Sequence, residues 1–461
     1  MKTRLLGGGV RLELLEPAGA EDAQRRVAGA LLAAGLGPGD RVAFTLGSSA
    51  PLLCSVLGAL RRGIVPVLLN ATLLPEERDA LVADADPQLV VLDRAGLGAL
   101  LEGPPAELAP YPLARPMHYT SGTTGRAKGV WSGVLDEGDA RALFEDEAEM
   151  WGFGEADTHL VCSPMYHSVS IRFAGGTLLS GGRVLVLERF DAGAAASVLV
   201  EERPTTTFMA PTALGRLVRH PGTPPVLDSL RLLVHAGSPC PPALKEEAIG
   251  RVGPDVLWEF YGSTEGQFTV CSPRDWRARP GTVGRARPGR RLEVDAEGLV
   301  WCRAPDFARF SYWRDEEATA RAWRGDAFTV GDLGRLDDDG YLFLDGRRDD
   351  LVISGGVNVY PAEVEAALAG APGVVEVAVF GVDDDAWGQR VCAAVVGSAD
   401  EGALRRHAAA HLAPYKRPKT YLLLDELPRT ATGKLLRRAL PGRLAGAGGP
   451  GCPGGPIRGG S

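Results

Sequence analysis

The chain has 461 residues, which is too long for one ordinary hydrophobic core and predicts two or three domains. Hydrophobic residues make up 45% and charged residues 23%, as in globular proteins, and the formal net charge of −8 disfavours a nucleic-acid partner. Seven widely spaced cysteines favour reduced thiols, and no apolar run is long enough for a signal peptide or membrane anchor, so we expect a cytoplasmic protein.

Helices alternate with buried strands along the first half of the chain. Residues 23–36 and 50–61 have the apolar spacing of helices, and the first ends at Gly37-Pro38. The apolar runs of strand length are RVAFTL, IVPVLLN, LVVLD, HLVCSP, RVLVLE, TTTFMAP and LRLLVHAG. Strands that alternate with helices predict doubly wound, largely parallel sheets in an α/β fold.

The pattern of predicted secondary structure changes twice towards the C-terminus. From about residue 281, short strands and turns predict a small β-rich subdomain, and beyond the charged turn at 346–350 a compact α+β pattern begins. We therefore predict a large N-terminal domain over residues 1–346 and a small α+β C-terminal domain over 347–440. Residues 441–461 are mostly Gly and Pro, and we expect them to form a disordered tail.

The segment YTSGTTGRAKGV at 119–130 concentrates glycines, hydroxyl side chains and a lysine. Glycine amides can converge on one anion, hydroxyls add donors, and Lys128 adds a positive charge. We interpret the segment as a cradle for nucleotide phosphates, although a flexible Ser/Gly loop has the same composition. The candidate phosphate-binding residues are Thr120, Ser121, Gly122, Thr123, Thr124, Gly125 and Lys128.

This segment resembles the signature loop of the adenylate-forming (AMP-binding) superfamily, which includes acyl-CoA synthetases, adenylation domains and firefly luciferase. Further matching motifs follow in the family's order as far as residue 434. The resemblance implies ATP, Mg²⁺ and coenzyme A as cofactors. It also implies a mobile C-terminal domain that rotates between two half-reactions.

The motif YGSTE at 261–265 follows a strand-like run. A carboxylate beside a hydroxyl can hold Mg²⁺ against phosphate oxygens, although a plain loop with an exposed glutamate is the alternative. The resemblance implies that Glu265 binds Mg²⁺, that Thr264 contacts the α-phosphate and that Tyr261 stacks on adenine. It adds four nucleotide-contacting positions, Gly262, Ala236, Gly237 and Ser238.

The nucleotide-contacting and hinge positions continue near the predicted domain boundary. Asp332 can accept both hydroxyls of a ribose, although a turn aspartate is the simpler reading of this Asp/Gly-rich stretch. The resemblance assigns the ribose to Asp332 with support from Arg347, places the hinge at Asp349, and places Gly355 and Gly356 beside the pantetheine tunnel.

Lys434 closes the motif PRTATGK. Alone, a lysine in a basic stretch is a solvated charge. The resemblance makes it the catalytic lysine, which stabilises charge in the adenylation transition state.

Three residues are candidates for the acid pocket. His167, in PMYHS, resembles a histidine that shapes the pocket of acyl-CoA synthetases, although a lone histidine after a strand is also a common structural residue. Modular amino-acid-activating domains carry an aspartate in this region, so its absence favours plain carboxylic acids. Arg172 could meet an anionic group of the substrate or form a structural ion pair. With Phe208, these positions predict an apolar acid, of medium chain or aromatic.

We predict an acyl-CoA synthetase that forms acyl-AMP from a small-molecule carboxylic acid and passes the acyl group to coenzyme A. Three alternatives are open: loading of an acyl carrier protein, activation of nitrite, and an inactive homologue that acts as a binding module. The region between Asp93 and Tyr119 is short for the family, which leaves the assembly as a monomer or a homodimer.

Overall fold

The computed structural model describes residues 2–120, 127–354, 357–384, 388–429 and 435–447. The chain divides into two compact units. The larger unit comprises residues up to Val330 together with Arg335–Leu344, and the smaller comprises Gly331–Gly334 and the residues from Asp345 onward. Among the described helices, none is both long and apolar enough to cross a membrane.

The larger unit alternates strands and helices for most of its length. Its strands are β1 (Lys2–Leu5), β2 (Arg11–Leu15), β3 (Arg41–Phe44), β4 (Val65–Leu68), β5 (Leu89–Val91), β6 (Met117–Thr120), β7 (Lys128–Trp131), β8 (Thr158–Val161), β9 (Arg183–Leu187), β10 (Thr206–Met209), β11 (Leu232–His235), β12 (Leu257–Gly262), β13 (Gln267–Cys271), β14 (Arg285–Ala286), β15 (Arg291–Val294), β16 (Val300–Arg303), β17 (Ser311–Tyr312), β18 (Trp323–Arg324) and β19 (Ala327–Phe328). Its helices are α1 (Pro17–Ala33), α2 (Ala50–Leu60), α3 (Pro75–Ala85), α4 (Arg94–Leu101), α5 (Glu137–Trp151), α6 (Ser168–Leu179), α7 (Ala192–Glu201), α8 (Pro211–Val218), α9 (Pro242–Val252), α10 (Pro273–Ala278) and α11 (Glu316–Ala322).

Two large sheets form this unit. The nine-stranded sheet has the order β1-β2-β9-β8-β10-β11-β12-β13-β14, and β9, β8, β10, β11 and β12 are parallel. The six-stranded sheet has the order β17-β7-β6-β4-β3-β5, with β5, β3, β4 and β6 parallel. Helices cover the parallel strands, which explains why those strands are apolar throughout rather than alternating. A four-stranded antiparallel sheet, β15-β16-β19-β18, is the predicted β-rich part.

One hydrophobic core joins the two large sheets. It contains buried side chains of α1, α2 and α6 together with those of β3, β4 and β9. A second core packs α7, α8 and α9 on the opposite face of the nine-stranded sheet, where Leu185 and Leu187 of β9 alternate with Val184 and Val186 of the first core. Because the carboxyl ends of parallel neighbours meet at one edge, the segments that follow β8, β10, β11 and β12 leave the sheet together.

The smaller unit begins in the paired strands β20 (Asp332–Leu336) and β21 (Leu342–Arg347), part of which belongs to the larger unit. Its remaining elements are β22 (Val352–Ser354), β23 (Val357–Val359), α12 (Pro361–Ala369), β24 (Val374–Asp384), β25 (Gly388–Gly397), α13 (Glu401–His411), β26 (Thr420–Leu424) and α14 (Leu440–Ala447). β22 to β26 form one sheet, which α12 and α13 cover.

The predicted fold class is confirmed: a large α/β unit with a β-rich part is followed by a small α+β unit. Two element boundaries differ from the sequence prediction. α1 begins at Pro17 rather than near residue 23, because proline suits the first turn of a helix. Residues 441–447, which we expected in the tail, are helical, because Leu440 is buried and Leu444 packs in the same cluster one turn later.

Candidate active site

The ends of the phosphate-loop segment are held in a β-hairpin. β6 and β7 are antiparallel, with Thr120 opposite Lys128 and Tyr119 opposite Gly129. A Cβ at position 129 would lie 2.2 Å from the terminal methyl group of Met117, so a larger residue here would force the Met117 side chain to move. The hairpin therefore brings both ends of the segment to one place. Residues 121–126, which include Ser121, Gly122, Thr123, Thr124 and Gly125, lie outside the described residues.

Lys128 and Glu265 both contact the side chain of Tyr312. β17 pairs with β7, which places Tyr312 opposite Val130 and close to the hairpin. The Lys128 Nζ lies 5.0 Å from the centroid of the Tyr312 ring, within the range of a cation–π interaction. The Tyr312 hydroxyl donates a hydrogen bond of 2.9 Å to Oε1 of Glu265. The tyrosine thus holds a lysine and a carboxylate together beside the phosphate-loop segment.

Glu265 lies in a tight connection between β12 and β13. The backbone N–H of Ser263 donates to the carbonyl oxygen of Gly266 at 2.9 Å. A Cβ on Gly262 would lie 2.6 Å from that same oxygen, and a Cβ on Gly266 would lie 2.7 Å from the ring of Phe328. Both glycines are therefore required by close approach, and they fix the path of the backbone on either side of Thr264 and Glu265.

Arg115, which our sequence analysis did not single out, forms hydrogen bonds to the backbone of the same loop. Its guanidinium donates to the carbonyl oxygens of Thr264 (3.3 Å), Glu265 (3.2 Å) and Ala308 (3.2 Å). Burial, helped by the positive charge of Arg172, lowers the pKa of Arg115 to about 10, so the side chain remains charged at neutral pH. The available sequence signal was an arginine two residues before β6, the strand that leads into the phosphate-loop segment.

The proposed adenine side is formed by the ends of β11 and β12. These strands are parallel, with His235 opposite Glu259, so Ala236 to Ser238 and the residues from Tyr261 onward emerge at the same edge. Ala236 is buried, whereas Gly237 and Ser238 are exposed. Gly237 has a φ of 91°, a conformation that favours glycine. The Tyr261 ring packs on Phe268 with centroids 4.9 Å apart.

The ribose and hinge candidates belong to the smaller unit. Asp332 begins β20 and Arg347 ends β21, and the Arg347 Nε donates to Oδ1 of Asp332 at 3.0 Å. The backbone N–H of Arg348 donates to the carbonyl oxygen of Gly331 at 2.9 Å, which closes this end of the ribbon. Asp349 lies in the 3₁₀ turn that connects β21 to β22. Gly355, Gly356 and Lys434 lie outside the described residues.

His167 follows β8, and Phe208 lies in β10, the neighbouring strand of the nine-stranded sheet. His167 precedes the first residue of α6, and its backbone N–H donates to the carbonyl oxygen of Pro164 at 3.1 Å. Its ring lies 4.5 Å from that of Tyr166, measured between centroids. Phe208 is buried in β10, where its ring centroid lies 6.2 Å from those of Phe173 and Phe260. These contacts extend into an aromatic cluster that also contains Trp151.

Arg172 is paired with an acidic residue of the neighbouring helix. Its Nη2 lies 2.6 Å and 2.7 Å from the two carboxylate oxygens of Glu147, and Arg287 contacts the same carboxylate at 2.7 Å. Burial alone would raise the pKa of Glu147, but Arg172 and Arg287 together lower it to about 2. Of the two readings that the sequence left open for Arg172, the structure contains an ion pair.

The residues present fit a magnesium ion that arrives with phosphate rather than a resident protein-bound metal. Among the described residues, no group of three or more His, Cys, Asp or Glu side chains is placed to hold a metal ion. Mg²⁺ in nucleotide sites typically takes one or two carboxylates, with phosphate oxygens and water completing its coordination. Glu265, a single buried carboxylate beside Lys128, suits that arrangement.

Comparison with known sequences identifies the family. The sequence profile of the AMP-binding enzyme family matches residues 18–111 and 115–303, and that of the AMP-binding enzyme C-terminal domain matches residues 363–434. The chain is 34% identical over 405 residues to 2-succinylbenzoate–CoA ligase of Bacillus mycoides, covering 82% of this chain and 83% of the relative. It is 32% identical over 461 residues to indoleacetate–CoA ligase of Aromatoleum aromaticum, covering 89% of each.

Solved structures agree with the sequence comparison. ATP-bound MatB from Rhodopseudomonas palustris is 30% identical, with a TM-score of 0.80 and 93% of each chain covered. O-succinylbenzoate coenzyme A synthetase from Bacillus subtilis, in complex with ATP and magnesium, is 28% identical, with a TM-score of 0.79, covering 92% of this chain and 94% of that one. The resemblance inferred from the phosphate-loop motif is confirmed: the chain belongs to the AMP-binding (adenylate-forming) enzyme family.

Proposed function

We propose that this chain is an AMP-forming acid–thiol ligase. It activates a carboxylic acid with Mg-ATP to give acyl-AMP and then transfers the acyl group to the thiol of coenzyme A. The observation that carries the proposal is the Lys128–Tyr312–Glu265 cluster at the phosphate-loop hairpin. Named relatives that are CoA ligases, and similar solved structures with ATP, with ATP and magnesium, or with an acyl-adenylate, support it.

In the first half-reaction, a carboxylate oxygen of the acid attacks the α-phosphorus of ATP and pyrophosphate leaves. When bound at Glu265, Mg²⁺ neutralises charge on the phosphate oxygens. Tyr312 holds the Glu265 carboxylate in place, and Lys128 contributes a second positive charge beside the triphosphate. Lys434 stabilises the charge that develops on the reacting oxygens. Catalysis is then positioning and charge neutralisation, without a covalent enzyme intermediate.

In the second half-reaction, the coenzyme A thiolate attacks the acyl carbonyl carbon and AMP leaves with its phosphate. Asp332, supported by Arg347, holds the ribose hydroxyls. As the family resemblance implies, the C-terminal domain rotates about Asp349 between the two half-reactions, and Gly355 and Gly356 then border the pantetheine tunnel. Such domain motion between steps is common in enzymes.

The acid that the pocket accepts is apolar, either aromatic or of medium chain. The aromatic cluster supports this choice, because the buried side chains of Phe208, Phe173, Phe260 and Trp151 make this part of the larger unit almost entirely apolar. Pockets of this composition bind ligands mainly by burial of apolar area. His167, next to this cluster in the chain, shapes the entrance near the carboxylate.

The test is acid-dependent exchange of labelled pyrophosphate into ATP, measured with a panel of aromatic and medium-chain acids. We expect exchange with at least one acid, and its loss in Glu265→Gln, which preserves shape but removes the charge that binds Mg²⁺. Glu246→Gln is the matched control, because Glu246 pairs with Arg277 at the surface and exchange should be unchanged. A chain that exchanges pyrophosphate with no acid would be an inactive homologue and would contradict the proposal.

The thiol acceptor is tested separately. The phosphopantetheine arm of an acyl carrier protein presents the same thiol as coenzyme A, so loading of a carrier is the alternative acceptor reaction. We expect AMP release to depend on free coenzyme A. Exchange without coenzyme A-dependent AMP release, combined with loading of a carrier, would reassign the acceptor, and exchange driven by nitrite alone would reassign the activated group.

A further inference from the structure

Arg115 joins three segments of the larger unit through one planar side chain. Nη1 donates to the carbonyl oxygen of Ala308 at 3.2 Å, and Nη2 donates to those of Thr264 at 3.3 Å and Glu265 at 3.2 Å. Arg115 lies two residues before β6, so the backbone that leads into the phosphate loop is tied directly to the loop that carries the candidate magnesium ligand.

The three contacts of Arg115 are hydrogen bonds to backbone carbonyl oxygens, so their role is to orient the backbone and not to form an ion pair. Each acceptor is a backbone carbonyl, so the side chain orients peptide groups rather than neutralising a carboxylate. A guanidinium is planar and rigid, and its hydrogen bonds from a charged donor are stronger than those between neutral groups. Because Nη2 donates to the carbonyl oxygens of two successive residues, it fixes the backbone at Glu265, whose carboxylate accepts a hydrogen bond from Tyr312.

We propose that Arg115 is a positioning residue for the magnesium–ATP site: it fixes the Glu265 loop relative to the phosphate-loop strand. The inference rests on the proposed function, because it presupposes that Glu265 binds Mg²⁺. The proposal predicts the direction in which Mg²⁺ affinity changes when Arg115 is replaced. A positive charge near Glu265 by itself opposes the binding of a cation, so loss of charge alone would strengthen Mg²⁺ binding, whereas loss of positioning weakens it.

The experiment measures ATP binding by calorimetry without any acid, so that no reaction occurs, once with excess Mg²⁺ and once with a chelator. The variants are Arg115→Met, which removes the donors, and Arg115→Lys, which keeps the charge but loses the planar fork. Outer-shell partners of metal ligands typically contribute 10- to 100-fold to metal affinity. We expect the gain in ATP affinity due to Mg²⁺ to fall roughly tenfold in both variants, with Mg²⁺-free ATP binding within about twofold of wild type.

Arg41→Met is the matched control. Arg41 is also a buried arginine that donates to three backbone carbonyl oxygens, those of Ala85, Gly39 and Asp86, but it makes no hydrogen bond to the Glu265 loop. A purely structural loss would affect the Arg115 and Arg41 variants alike. We expect the Mg²⁺-dependent gain in Arg41→Met to match the wild type, even where its thermal stability falls.

Two further results would overturn the inference. One is an unchanged or larger Mg²⁺-dependent gain in Arg115→Met, and the other is a wild-type response in Arg115→Lys, which would show that the planar guanidinium is not needed to position the Glu265 loop. Far-UV circular dichroism and a cooperative thermal unfolding transition show whether each Arg115 variant is folded. If the wild-type protein bound no ATP and exchanged no pyrophosphate, the proposed function itself would be wrong. That result is distinct from an unexpected response of the Arg115 variants alone, which would contradict only the positioning role.

Discussion

Replacement of Glu147 by glutamine tests the buried charge network beside the proposed acid pocket. The Glu147 carboxylate lies between Arg172 and Arg287, and its side chain is 15% exposed, whereas that of Arg287 is 2% exposed. Glutamine preserves the shape but removes the anionic partner of Arg172 and one of the two carboxylates that contact Arg287, the other being that of Asp146. Removing one member of a buried ion pair typically costs 3–5 kcal/mol, because the remaining charge stays desolvated.

The lowered pKa of Glu147 gives a second measure of the free energy that its ion pairs contribute to folding. The interval between the ordinary pKa of 4.5 and the lowered value of about 2 corresponds to roughly 3 kcal/mol at 25 °C. Because the pKa is lower in the folded state, this stabilisation is complete above pH 4.5 and is lost as the pH falls from 4.5 towards 2. Glu147→Gln should lack that part of the acid destabilisation, and it should unfold at lower urea concentration at pH 7.

The assay is urea unfolding followed by tryptophan fluorescence. Seven of the eight tryptophans lie between positions 131 and 323, so the signal reports mainly on the larger unit. Glu145→Gln, on the same helix, is the control, because Glu145 faces Arg141 at the surface and its loss should cost no more than about 0.5 kcal/mol. A Glu147→Gln protein as stable as the control, with the same decline in acid as wild type, would refute the reasoning.

Three other substitutions test the nucleotide site. Tyr312→Phe removes the hydrogen bond to Glu265 but keeps the ring, so pyrophosphate exchange should fall about tenfold or more, and a change below twofold would argue against it. Gly262→Ala should reduce the same exchange, because its Cβ would lie 2.6 Å from the Gly266 carbonyl oxygen; normal exchange would show that the loop can shift. Lys434→Ala should abolish exchange far more than thioester formation from supplied acyl-AMP, and equal loss of both steps would contradict the role of Lys434.

The motifs could be read from the sequence because their chemistry lies in contiguous segments. Glycines, hydroxyl side chains and Lys128 fall within one short stretch. Glu265 follows a run of apolar residues, which predicts a strand. The strands were found for the same reason, since buried parallel strands are uninterrupted apolar runs. Family and fold class were therefore within reach of the sequence.

The partners of these motifs were not within reach, because they are set by tertiary pairing. Tyr312 approaches Lys128 only because β17 pairs with β7, almost two hundred residues away in the chain. Arg115 acts on backbone carbonyl oxygens, which leave no mark in the sequence. The partner of Arg172 lies on a helix with several acidic residues, and only the packing of α5 against α6 selects Glu147 among them.

The most direct test of the central claim, that the carboxylate of an acid attacks the α-phosphorus of ATP, is transfer of isotopic oxygen. An acid that supports exchange is labelled with ¹⁸O at both carboxylate oxygens and converted with ATP and coenzyme A, and the released AMP is analysed by mass spectrometry. Our account predicts one ¹⁸O atom in AMP and none in pyrophosphate, because the bridging oxygen stays with the phosphate when the thiolate attacks the carbonyl carbon. Unlabelled AMP, or label in an inorganic phosphate product, would contradict it.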